Sequence, residues 1–342
     1  MPWSSSAALR FVAGGMLAYA AVHTVSELLD PIAPTLRARV AIFRERAGTV
    51  EAVAVGNSHG ATVKFAELGM RGMHFAQAGQ DAFEAVHLAR YGASAPRLRY
   101  VLFAASYGVQ RVDHAVVGSA DLRAFRRYLY ARTPLQRPIP GDLDLWVTGM
   151  LAPVVRDDHW SGVAARLYRA RRPVLLHDDG GPAGLVDRTP MPRDSLALHG
   201  AVVGGHHTRR GAEMIALAPA TPTRVAGMLG DLARELRARG AALVLYTPPY
   251  HETYLRMHNP AVNAEKHAIM RRIAAENPNV VWLDYSTDPR FTHRDELFTN
   301  SDHLNQAGGR AFSRLLGECM RASLAGEKVE PGRRGCPVSV AL

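Results

Sequence analysis

"VAVGNSHG", residues 53–60, is the stretch on which the fold reading turns. An apolar run, Val53 to Val55 and then Gly56, stops at Asn57 and Ser58, and the helix-compatible "HGATVKFAELG" follows. A strand that turns into a helix is where α/β enzymes place nucleophiles and bind anions, because the N–H groups at a helix start are unpaired. Two roles are open to Ser58 at this point: cap of the helix or nucleophile at its start.

Working outward, the same alternation recurs. The short apolar piece "MHFAQAG" (73–79) leads into a helix, "DAFEAVHLARYG" (81–92), and "LRYVLFAAS" (98–106) has the apolar centre of a strand buried on both faces. With a first strand at 51–56 and a helix at 35–47 before it, the pattern is βαβαβ, which predicts a parallel sheet with helices on both sides. The rhythm resumes later as helix (221–240), strand (241–249), helix (259–278), strand (279–286) and helix (305–324). Between the halves, residues from about 119 to 222 bring prolines, basic helices and "GAVVGGHHTRRG" (200–211), too long for a plain connection. The expectation is one α/β domain over residues 31–325 with a long insertion in its middle, and a C-terminal tail at 326–342.

Composition narrows the partners. A formal charge of +10 in 342 residues gives a surface attracted to anions. No zinc-finger spacing, RNP-like strand or helix-turn-helix pattern accompanies it, so the basic stretches at 122–138 and 165–174 read as solvated helix faces and nucleic acid is not the expected partner. Anionic glycan and membrane surface stay open. From Phe11 to Val25 the chain carries no acidic residue, lysine or arginine, with Arg10 before it and Glu27 and Asp30 after it. This run is shorter than the roughly 20 residues a bilayer needs, but flanking apolar residues extend it. Residues 1–30 therefore read as a signal peptide or signal anchor, which would place the domain outside the cytoplasm in the cell envelope; an amphipathic or buried N-terminal helix is the alternative. Cys319 and Cys336 fit no metal or redox motif, and whether they pair stays open.

The second informative stretch, "LFTNSDHLNQAGGRAFSRLL" (297–316), puts His303 between the last strand and the last helix. That is the C-terminal edge of the sheet, the edge on which Ser58 lies and ligands bind in open α/β sheets. Together the two stretches resemble the SGNH/GDSL hydrolases, especially the exported or membrane-anchored branch that acylates or deacylates cell-surface polymers. "GNSH" (56–59) resembles the family's first block, with its serine nucleophile. "QAGQD" (77–81) resembles the second, and "NSDHLNQAG" (300–308) the last, which in the family reads Asp-x-x-His-Leu. "LVLYTPPYHETY" (243–254) and "VVWLDYS" (280–286) look like that branch's late strands.

The resemblance implies a three-layer α/β/α sandwich of flavodoxin-like type. It implies Ser58 as nucleophile, His303 as its base, and the Ser58 and Gly79 amides as oxyanion donors. It also implies an acyl-ester donor, a glycan acceptor and a membrane acyl-transporting protein as partner, with no cofactor. Two departures stand out. Asn300 occupies the family's aspartate position, so a Ser58-His303 dyad with weak support from Asn300 is expected; Asp302, beside His303, is the other candidate carboxylate, although neighbours in an extended loop point apart. The family's third block, Gly-x-Asn-Asp, has no counterpart in "SYGVQRVDH" (106–114), where Ser106, Tyr107 or Gln110 would donate instead.

Asn57 and His251 are read as oxyanion or substrate contacts; Glu252, Asp113 and His114 also follow strands at this edge. His206 and His207 lack a third ligand at metal-site spacing, so no metal is expected and the pair reads as polar surface or cleft residues. The activity so implied is a serine-dependent acyl esterase or O-acyltransferase, O-acetyl in kind, acting on a cell-surface polysaccharide. The rival from another class is a catalytically weakened SGNH-like glycan-binding or scaffold protein.

Overall fold

The computed structural model describes residues 6–18 except 8, 34–117, 141–151 and 190–325, isolated positions between 123 and 181, and Cys336. Most of the 1–30 segment, the basic stretch 165–174 and the tail other than Cys336 lie outside the described residues. Those described in 6–18 are helical, with Leu9, Phe11, Met16 and Leu17 exposed. Among the described residues no helix is long and apolar enough to cross a membrane.

Five strands form one parallel sheet: β1 (Ala52–Val55), β2 (Gly72–His74), β3 (Tyr100–Ala104), β4 (Ala242–Thr247) and β5 (Val280–Asp284), in the order β2-β1-β3-β4-β5. Because successive side chains point to opposite faces, each strand feeds two separate cores. Val53, Val55, Val101, Phe103, Leu243 and Leu245 pack on one face with residues of α1 (Pro34–Arg46), α3 (Ala82–Gly92), α6 (Thr221–Ala238) and α8 (Pro260–Glu276). Ala54, Leu102, Val244, Tyr246 and Leu283 pack on the other with α2 (Phe65–Leu68) and α9 (Gln306–Leu324). Burial on both faces explains why these strands read as unbroken apolar runs. From β1 the chain winds to β2 on one side and onward through β3 to β5 on the other. The β1/β3 gap is therefore the switch point, where a crevice opens at the C-terminal strand ends.

Two local expectations change. "MHFAQAG" does more than lead into a helix, since its first residues belong to the edge strand β2. The helix expected after Ser58 is a 3-10 turn, Ser58–Thr62, then extended Val63 and Lys64, then the four-residue α2. The turn is drawn tight against the sheet: a Cβ on Gly60 would meet Ala76 Cβ at 2.5 Å and the Val55 carbonyl oxygen at 3.0 Å. β-Branched Thr62 and Val63 then favour leaving the helical region.

The connection from β3 to β4 carries the insertion. Its described parts include α4 (Arg193–His199), a π turn (Gly200–Gly204) and α5 (Gly205–Leu217), which run on continuously. Gly200 and Gly204 allow this helix to press on α7 (Glu252–Leu255) and the residues after it: added Cβ atoms would lie 2.7 Å from the Thr253 backbone and 2.7 Å from Met257 Cβ. A buried cluster ties the insertion to α3. Arg126 donates to Asp81, Glu84 and Asp142, and Tyr130 donates to Asp142. Cys319 and Cys336 form a disulfide, which answers the question left open by their spacing.

Candidate active site

Gly56 ends β1 at φ +117°, and an added Cβ would meet Ala104 Cβ at 2.9 Å, so the strand end requires glycine. Asn57 is the cap of the following turn, its Oδ1 accepting from the His59 amide at 3.2 Å. Ser58 is thereby released from capping. Its Oγ lies 2.8 Å from His303 Nε2.

His303 stands on a small antiparallel hairpin, β6 (Phe298–Asn300) and β7 (His303–Leu304). Asn300 Oδ1 accepts from the Asp302 and His303 amides at 3.2 and 2.8 Å and folds the turn between them. This turn overcomes the objection that adjacent residues point apart, because the loop is not extended there. Asp302 Oδ1 lies 3.0 Å from His303 Nδ1, and Asn300 Oδ1 lies at the same distance. Facing two acceptors, Nδ1 carries the hydrogen, which leaves Nε2 bare to accept from the Ser58 hydroxyl.

The support extends one residue further, to a group the sequence reading did not single out. His59 Nε2 is 3.3 Å from Asp302 Oδ2, and its Nδ1 is 2.9 Å from Ser106 Oγ. Burial depresses the His59 pKa, so the ring is neutral and its one hydrogen, on Nε2, is donated to Asp302, while the Ser106 hydroxyl donates to Asn57 Oδ1. Burial alone would raise Asp302, but hydrogen bonds and charge from His303 and His59 outweigh it and hold the carboxyl well below its usual range. His59 was in view within "GNSH"; a regular helix after Ser58 would have aimed it elsewhere, and only the 3-10 turn brings it under His303, with ring centroids 4.6 Å apart.

Gly79 lies at φ +74° in a loop fastened to the nucleophile turn. The Gln77 amide donates to the Gly56 carbonyl at 3.0 Å, and the Gly56 amide donates to Gln80 Oε1 at 2.9 Å. His114 Nε2 donates to the Gly79 carbonyl at 2.6 Å. Among the described residues, the Ser58 and Gly79 amides have no protein partner. Asn57 uses its Oδ1 for His59 and Ser106, leaving Nδ2 similarly without one.

Other residues marked in the sequence go elsewhere. His251 is buried, capping α7 and bonding Asp295 at 2.9 Å, so it is not brought to the cleft. Glu252 pairs with Arg193 and Arg256, and Asp113 with Arg224. Gln110 is buried against Val262 and Glu265; Tyr107 does line the cleft, with its amide donating to Tyr250 and its hydroxyl meeting Thr208 and the Asn259 amide.

Ser58, His303, Gly79 and Asn57 line one cleft of about 310 Å³. Its opposite wall is the insertion helix, which contributes His199, Val203, His207, Arg210 and Gly211. Spacing of four through the helix keeps 199, 203 and 207 on one side; the cleft role open to His207 from the sequence is thus met, while His199 and Val203 were not singled out there. His199 bonds Ser301 and His207 bonds Tyr254, and burial lowers both pKa values, His207 to about 4. The ligand atoms of His59, Asp302 and His303 fall within 4.8 Å of one another, a set able to hold a cation that the sequence, with these residues far apart, did not reveal. As arranged here they are joined by hydrogen bonds. No family model, curated protein or solved structure matches the chain.

Proposed function

We propose that the protein is an SGNH/GDSL-type serine acyl esterase or O-acyltransferase that moves an O-acetyl group on a cell-surface polysaccharide or related glycan. The 2.8 Å contact between Ser58 Oγ and His303 Nε2 carries this reading, in a histidine whose other nitrogen meets Asp302. Nucleophile, base and orienting carboxylate in that chain of contacts are the elements of acyl transfer, whatever the fold. The strand order, which matches flavodoxin-like sheets, supports the finer assignment of fold.

In the mechanism, Ser58 Oγ attacks the acyl carbonyl as its proton passes to His303 Nε2. The oxyanion takes hydrogen bonds from the Ser58 and Gly79 amides, with Asn57 Nδ2 in place of the missing third-block asparagine; each such donor is worth about 3 kcal/mol. Collapse expels an alkoxide that recovers the proton from His303. Water or a sugar hydroxyl then yields its proton to His303 and attacks the acyl-enzyme, and His303 passes that proton to Ser58 Oγ as the bond to the acyl carbon breaks.

The setting proposed is the cell envelope, with the N-terminal segment at the membrane and a membrane acyl-transporting protein supplying the donor. The apolar run, the exposed apolar side chains in 6–18 and the disulfide, a bond favoured in oxidising compartments, support it.

The test is intact-protein mass after treating the full chain with a fluorophosphonate, beside Ser58→Ala and His303→Ala. A single adduct on the wild type, absent from both variants, is the expected result. A folded protein that takes no adduct would refute the enzyme and leave the glycan-binding rival.

A further inference from the structure

The cleft's fixed charges are unequally matched. Its two acidic lining residues are both engaged, Asp81 by Arg126 and the His114 amide, Asp302 by His59 and His303. The lining histidines make hydrogen bonds within the protein. Arg210 differs from all of these. It is the lining arginine, it is partly buried, and among the described residues it makes no hydrogen bond or ion pair.

Its position is informative. Arg210 projects from the insertion helix beyond His207, and its charge reaches His114, the residue that holds the Gly79 carbonyl. A guanidinium therefore stands in the cleft near the histidine that holds the oxyanion loop. A guanidinium lining a cleft without a protein acceptor has its donors open to a ligand, and its planar fork suits carboxylate and phosphate oxygens. The net charge of +10 would draw such a polymer to the surface from a distance.

We propose that Arg210 forms a subsite for a fixed negative charge on the substrate, a carboxylate or phosphate borne beside the ester or the accepting hydroxyl, so that the glycan handled here is an anionic one. This deepens the acyl-transfer reading and rests on it for the site's chemistry, but the binding test does not require catalysis.

Calorimetric titration of the full-length Ser58→Ala protein, which cannot consume its ligand, would use three probes: an O-acetylated oligogalacturonate, an O-acetylated neutral galactan oligomer and a poly(glycerol phosphate) oligomer. Ser58→Ala should prefer an anionic probe over the neutral one by roughly 10- to 100-fold, the range for a charge-assisted pair. Adding Arg210→Gln should reduce that preference to below about threefold. Arg210→Lys should keep part of it, and Arg209→Gln, an exposed neighbour outside the cleft, should keep all of it. Which anionic probe wins identifies the group. No preference, or a preference that survives Arg210→Gln, overturns the proposal. Fluorophosphonate labelling of the wild type reports the nucleophile separately, so the subsite and the serine mechanism fail by different measurements.

Discussion

Replacing Asp302 by asparagine is the sharpest probe of how His303 is held. The substitution keeps size and leaves an oxygen to accept from Nδ1, but removes the charge that would face an imidazolium 3.0 Å away. With an effective dielectric near 20, a unit pair at that distance is worth about 5 kcal/mol, almost four decades of rate. The His303 side chain is 28% exposed, so water screens part of this. Asn300 Oδ1, also 3.0 Å from Nδ1, preserves the tautomer that a serine-protease triad loses on the same change. The expected fall is therefore about 10²- to 10³-fold, below the roughly 10⁴-fold seen in such triads. The assay is the second-order rate of fluorophosphonate labelling at Ser58, with thermal unfolding run alongside. A folded Asp302→Asn protein that labels within about threefold of wild type would refute the reasoning. Asn300 alone would then be supporting a Ser-His dyad.

Two further predictions concern the scaffold. Burial, followed by the neighbouring Asp81 charge, raises Glu84 to about 8, above its ordinary value. The folded protein thus holds a proton that the unfolded chain releases, and the stability so gained is present at acid pH and lost as pH climbs toward 8. Glu84→Gln should flatten the decline of the urea midpoint between about pH 5 and 8; an equally steep decline would show that another group sets it. At the two loop glycines, Gly79→Ala should cost about 1–2 kcal/mol for its left-handed φ, since nothing lies within 4 Å of the new Cβ. Gly56→Ala should cost more, about 2–4 kcal/mol, because Ala104 must also give way. Equal denaturation midpoints for the two would contradict the close packing at the end of β1.

The sheet was legible because its strands are buried on both faces. "AVAV", "YVLFA", "ALVLYT" and "VVWLD" show apolar runs that few other placements could absorb, and the helices between them follow from the parallel connections. The edge strand β2 was not, because three residues carry too little pattern to separate a strand from a loop. The insertion wall was hidden for another reason. His199, Val203, His207 and Arg210 share one side at ordinary helical spacing, but a face of two histidines, a valine and an arginine carries no hydrophobic stripe that would mark it as a wall.

In the candidate site, the contacts that matter most violate the local rules by which a sequence is read. Asn300 weakens the family comparison when it is taken as a failed aspartate. In the structure its side chain folds the turn that lets Asp302 reach back to the neighbouring His303. The position that lacks the family's carboxylate thus helps to place one two residues later. His59 repeats the point: it follows the nucleophile directly, yet reaches Asp302 because Asn57, and not Ser58, caps the turn. A reading residue by residue scores Asn300 as a loss and His59 as incidental, whereas the geometry makes them the two supports of one carboxylate. A sequence in which Asn300 and Asp302 exchanged places would restore the family spacing and keep both a cap and a charge 3.0 Å from His303 Nδ1, but it would take from His59 the carboxylate that its Nε2 meets.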